Sequence, residues 1–104
     1  MIKVLRGAKK LIKKGWTKKV GAKNKQGEEV DPRSSSAYKF CLDGALYKIW
    51  YDLGRPKDHY YEACKIISNI TKHLYGKGLL EFNDSTNKSK VIQVLDKAIK
   101  KVSR

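Results

Sequence analysis

His59 and Glu62 stand three residues apart, with Cys64 close behind. On a helix this spacing puts an imidazole and a carboxylate one turn apart. A metal centre needs three or four such ligands. No second pair of the Cys-x-x-Cys or His-x-x-x-His kind accompanies the motif, and His73 lies far along the same segment. The motif reads as the polar first turn of a helix, and neither a metal nor another cofactor is expected. The two thiols are Cys41 and Cys64. A catalytic cysteine needs a neighbouring base and an electropositive, partly open setting. Cys41 sits inside an apolar run and Cys64 lies one turn before Ile67, so both read as buried and inert. Asp43, between Leu42 and Gly44, is a carboxylate in the most apolar stretch of the chain. There it must be paired, protonated or close to water. Pairing with Lys39 or Lys48 is the expectation, and lining a pocket is the alternative.

The chain has no Walker loop, no Gly-x-Gly-x-x-Gly, no Gly-x-Ser-x-Gly and no pair of catalytic carboxylates. A non-enzymatic role is expected, with no catalytic residues. What the sequence offers instead is charge. The 104 residues hold 24 Lys+Arg against 10 Asp+Glu, a formal net charge of +14. The first 25 residues carry +10 of it and contain no acid, while the acids run from Glu28 to Asp96. An A/T-rich genome inflates lysine through its codons, but codon bias alone does not empty 25 residues of acids. A field of this kind attracts polyanions and speeds their encounter. Arginines number only four, Arg6, Arg33, Arg55 and Arg104. The bidentate fork that reads guanine edges is therefore scarce, and loose backbone contact is favoured over base readout. Lys9, Lys10, Lys13, Lys14, Lys18 and Lys19 are the candidate polyanion ligands. Basic residues interleaved with aromatic rings suit base stacking. Tyr51, Tyr60 and Tyr61, close in sequence to Arg55 and Lys57, form the best such cluster.

These residues must be positioned by a small fold. Residues 2–14 have one apolar face (Val4, Leu5, Ala8, Leu11, Ile12) and one basic face (Lys3, Arg6, Lys10, Lys13), the pattern of an amphipathic helix. Gly15 would cap it and Trp16 would pack back beneath it. Residues 17–35 read as a hairpin or extended insert turning at Gln26-Gly27, ending in a helix N-cap region over 31–36. Residues 36–52, apolar on more than one side, predict a central helix, narrowed at Gly44-Ala45 so that another helix can approach. Asp58 would cap a third helix running to about Tyr75, stopped by Gly76-Lys77-Gly78. Leu79, Leu80 and Phe82 read as an apolar plug, and residues 88–102 as a closing helix. The expectation is one mostly α domain over 1–104, with four helices and the insert after the first. No run of 18 apolar residues and no signal-peptide core occurs, so no membrane association and a cytoplasmic location are expected.

Gly15-Trp16, Cys41-x-x-Gly44-Ala45-Leu46, Phe82-Asn83-Asp84 and Val94-Leu95-Asp96-Lys97-Ala98 together resemble an uncharacterised domain family of bacterial and bacteriophage genomes. Its members share this order of motifs, with Trp where this chain has Phe82. The resemblance spans nearly the whole chain and implies no activity. It does imply a phage or mobile-element setting, in which small proteins often bind and disable a host component. Two functions follow as expectations. One is a binding module for nucleic acid or another phosphate-rich ligand, working through the N-terminal lysines. The other is an inhibitor that docks on an acidic host protein through the same patch and the insert.

Overall fold

A computed structural model describes residues 1–103. Helix α1 (Ile2–Lys14) is followed by three two-residue strands, β1 (Ala22–Lys23), β2 (Glu29–Val30) and β3 (Lys39–Phe40). Four more helices complete the chain: α2 (Leu42–Asp52), α3 (His59–Tyr75), α4 (Leu79–Ser85) and α5 (Lys88–Val102). The domain is mostly helical, with five helices where the sequence predicts four.

Helix α1 has the predicted bounds and buries Val4, Leu5, Ala8 and Ile12. It packs on α2 and α5, while α3 packs on α5, α2 and α4. The thinnest dimension is 18 Å, room for no more than two helix layers at the usual spacing of about 8–10 Å. One apolar core runs through both, built from Leu5, Ile12, Phe40, Leu42, Leu46, Ile67, Phe82, Val91, Val94 and Leu95 among others. Each such side chain fully buried contributes about 1.5–3 kcal/mol. Among the described residues, no buried side-chain nitrogen or oxygen lacks a partner.

The insert is a hairpin that becomes a three-stranded antiparallel sheet of order β2-β1-β3. Ala22 pairs with Val30 on one side and Phe40 on the other. The turn falls at the predicted Gln26-Gly27. Gly27 takes φ +83°, and the Asn24 side chain accepts from the Gln26 and Glu28 amides at 3.0 and 2.9 Å.

Strand β3 corrects the predicted helix over 36–52. The Tyr38 amide donates to the Lys23 carbonyl, Phe40 to Gly15, Cys41 to Gly21 and Thr17 to Phe40. With its backbone groups claimed by distant partners, the chain stays extended until Leu42. The cap is not in 31–36 but at Cys41, whose Sγ accepts from the Gly44 amide at 3.2 Å. The narrow waist is real but meets no helix. A Cβ on Gly44 would lie 2.0 Å from the Gly21 carbonyl oxygen, so the close neighbour is the backbone entering β1. The close approach of two helices falls instead at Gly7 of α1, where a Cβ would meet the Ile49 side chain at 2.7 Å.

Two further local expectations change. Asp58 stands at the N-cap of α3 but makes no side-chain cap bond; it sits in the left-handed region at φ +63°, in a turn closed by the His59 amide donating to the Pro56 carbonyl. The apolar plug is a helix, α4, whose Leu79 and Phe82 enter the core. Gly76 ends α3 at φ +69°, as the sequence predicts.

Candidate functional site

The outer face of α1 presents Lys3, Arg6, Lys10, Lys13 and Lys14 to solvent, because the 3.6-residue period that buries Val4, Ala8 and Ile12 turns these outward. The remaining candidates are less free. Lys9 leans toward α5 and pairs with Asp96, Nζ to Oδ1 2.6 Å. Lys18 is half-buried, its Nζ 5.4 Å from the Trp16 ring centre. Lys19 is exposed and its backbone is held: φ is +71° and its amide donates to Asp84 Oδ1 at 2.8 Å. A shallow hollow of about 300 Å³ between α1 and α5 is lined by Arg6, Lys9, Lys10, Lys13, Asp96 and Ile99. Asp96 is the one acid there, and Lys9 answers it.

The tyrosine cluster forms, with Tyr47 between Tyr51 and Tyr60. Tyr60 stands edge-on to Tyr47 and Tyr61, with ring centres 5.6 and 5.3 Å apart. Its hydroxyl donates to Asp43, which also receives the Cys64 thiol at 3.9 Å. Asp43 therefore pairs with neither Lys39 nor Lys48; Lys48 instead bridges to Asp52 one turn on, Nζ to Oδ2 3.2 Å. Burial and the Asp43 bond push the Tyr60 hydroxyl well above its ordinary range. The cation beside the cluster is neither Arg55 nor Lys57. It is Arg33, from the insert, 5.9 Å from the Tyr47 ring centre and 5.7 Å from that of Tyr51. Asp31 holds the guanidinium in place by two hydrogen bonds, 3.0 and 2.9 Å, and Arg33 in turn lowers the Asp31 carboxyl to about 2. Tyr51 and Tyr61 keep exposed ring surface; Tyr61 is 72% exposed.

Asp43 also lines an open cleft of about 580 Å³ with Tyr60, Tyr61, Cys64, Lys65, Lys72 and Leu80, the pocket-lining alternative read from the sequence. His59 is not on it. Burial raises the Cys41 thiol to about 11 and that of Cys64 to about 12, so both are protonated near neutral pH. Among the described residues, no three of His, Cys, Asp and Glu converge as a metal cage would require.

The motif residues Gly-Trp, Cys-x-x-Gly and Phe-Asn-Asp come together in space around Asn83, a role that spacing in the sequence does not show. Asn83 Oδ1 accepts from Trp16 Nε1 at 2.8 Å and from the Leu42 amide at 3.0 Å. Its Nδ2 donates to the Thr17 carbonyl and to Asp84 Oδ1, both at 3.2 Å. Since Trp16 and Leu42 offer only donors, the orientation of the amide is fixed by chemistry. The buried Asn thus ties together the end of α1, the start of α2 and α4, and anchors the segment that carries Lys18 and Lys19.

A small, mostly helical domain whose signature residues build an internal polar hub is the class defined here. The chain belongs to DUF6197, a family of unknown function, whose pattern matches residues 1–101. No curated protein and no solved structure matches it. No helix among the described residues is long and apolar enough to cross a membrane.

Proposed function

We propose that the chain is a non-enzymatic basic binding protein that takes nucleic acid or another phosphate-rich polyanion on the outer face of α1. The observation that carries this reading is the acid-free row of Lys3, Arg6, Lys10, Lys13 and Lys14 along one exposed helix face. Lysines dominate that row, and their point charges suit phosphate oxygens in many registers. Lys19, on an anchored backbone, extends the same charge, and Lys9 is a reserve held by Asp96. Tyr51 and Tyr61 supply exposed rings on which unpaired bases would stack.

The test is binding to labelled single- and double-stranded DNA and RNA across a salt series, with the full chain and a Lys10→Gln/Lys13→Gln/Lys14→Gln variant. Affinity is expected to fall steeply with salt. In the variant the log–log slope should flatten by about 0.7–0.9 for each phosphate no longer neutralised. Weak, salt-insensitive binding, or a variant with an unchanged slope, would overturn the reading and leave an acidic protein partner to be sought.

A further inference from the structure

Away from the α1 face, the C-terminal halves of α3 and α5 enclose an open groove of about 470 Å³ lined by Asn69, Ile70, His73, Leu74, Lys97, Lys100 and Lys101. From this groove we infer a second, separate binding site, for a nucleoside phosphate. Three observations meet here. The α3 wall is Asn69-Ile70 and His73-Leu74, two pairs one turn apart, which set an aliphatic and imidazole surface beside one carboxamide. Leu74 is 45% exposed, which leaves apolar surface beside Ile70 for a flat ring to cover. The α5 wall carries Lys97, Lys100 and Lys101 at i, i+3, i+4, so all three lean to one side. None of the three makes an ion pair among the described residues, and no acid lines the groove.

Charge decides what fits. Two helix C-termini lie near, each worth about half a negative charge. Three full lysine charges outweigh them, leaving about two positive charges for a ligand. A monophosphate ester carries about −1.5 to −2 near neutral pH. The groove volume lies within the range of about 300–1,000 Å³ usual for small-ligand sites. A purely apolar ligand would use none of the three exposed lysines, and a bare phosphate would leave Ile70 and Leu74 uncovered. A ring joined to a phosphate satisfies both walls, with Asn69 able to donate to and accept from a base edge. The ligand could arrive as a free nucleotide or as the phosphorylated end of a strand.

The experiment is amide NMR titration of the full chain with AMP, adenosine, and a short oligonucleotide with and without a 5′-phosphate. AMP is expected to shift residues 69–74 and 97–101, with adenosine at least about ten-fold weaker. A Lys100→Gln/Lys101→Gln variant, altering exposed side chains only, should weaken AMP by about ten-fold, while Lys10→Gln/Lys13→Gln/Lys14→Gln leaves it unchanged. Equal binding of AMP and the phosphorylated oligonucleotide at the groove identifies free nucleotide as the ligand. Much tighter binding of the phosphorylated strand than of the hydroxyl strand identifies a strand end. No shift with AMP or the phosphorylated strand in the groove, or shifts confined to α1, overturns the proposal. Because the α1 variant and the groove variant are read separately, either site can fail without the other.

Discussion

Replacing Asn83 with alanine should remove the fastening of the fold while leaving every helix its apolar face. Asn83 is 1% exposed. Its loss strands the Leu42 amide, the Thr17 carbonyl and the Trp16 indole N–H, held now at 3.0, 3.2 and 2.8 Å. A buried backbone group left without a partner costs about 1–2 kcal/mol. The indole, on a half-buried ring that water can reach, costs less, and a small cavity adds to the total. Together these give a loss of about 3–5 kcal/mol, a large share of the roughly 5–15 kcal/mol that holds a domain folded. For a chain of this size the melting temperature should drop by about 15–20 °C. Urea unfolding followed by far-UV circular dichroism measures the free-energy loss, and thermal unfolding measures the shift in melting temperature. Asn83→Asp keeps the two accepted bonds but aims a carboxylate oxygen at the Thr17 carbonyl and Asp84, and should be no better at neutral pH. A loss below about 1 kcal/mol for Asn83→Ala, within the range of an ordinary surface change, would refute the hub.

Gly44→Ala drives a Cβ against the Gly21 backbone, which no rotamer change relieves, and should cost about 2–4 kcal/mol. Gly7→Ala brings a Cβ to 2.7 and 2.9 Å from Ile49 Cγ2 and Cγ1, which a stiff β-branched side chain in a helix cannot both turn away. Despite about 1 kcal/mol of regained helix propensity it should therefore lower the urea midpoint, by less than Gly44→Ala. The raised thiols of Cys41 and Cys64 and the raised Tyr60 hydroxyl keep their protons in the folded chain at pH values where the unfolded chain releases them. Stability should therefore be full below the ordinary thiol value of 9.0 and decline as pH rises toward about 11 and 12. Urea midpoints measured at stepped alkaline pH, with Cys41→Ala/Cys64→Ala expected to flatten the decline, check this. Asp96→Asn releases Lys9 and should raise polyanion affinity by about two- to three-fold at low salt, with Lys9→Ala costing less than Lys13→Ala; binding titrations decide it.

The helices that obey a single period are legible in the sequence. Helix α1 has its predicted bounds because its apolar and basic positions separate cleanly around one turn. Helix α5 does as well, with Asn87 accepting from the Lys90 amide as its cap. The start of α2 is not legible, because residues 37–40 are apolar enough to extend the helix and are held extended only by bonds to Gly15, Thr17 and Lys23. Long-range backbone pairing leaves no trace in local hydropathy. The same limit hides the partner of Asp43. Lysines four or five residues away in the sequence look available, whereas Tyr60 arrives from the next helix. At the candidate surface, the sequence shows charge as a density and not as geometry. The helical period puts Lys9 at the border of the apolar face and Lys10 opposite it, but the acid that Lys9 meets, Asp96, comes from another helix and is not visible in that spacing.

The Asn83 hub also sets an order of assembly. Its bonds span 67 residues to Trp16 and 41 to Leu42. Helical turns form within about a microsecond from neighbours in sequence, but the hub must wait for two long loops to close. The entropic cost of closure grows only slowly, by about 0.6 kcal/mol for each doubling of loop length, so the delay comes from needing three distant segments in place at once. Until then the Asn83 carboxamide lacks its partners, and α4 is held by the apolar contacts of Leu79 and Phe82 alone. The hub is therefore expected to close late in folding, joining the sheet, α2 and α4 across segments distant in sequence.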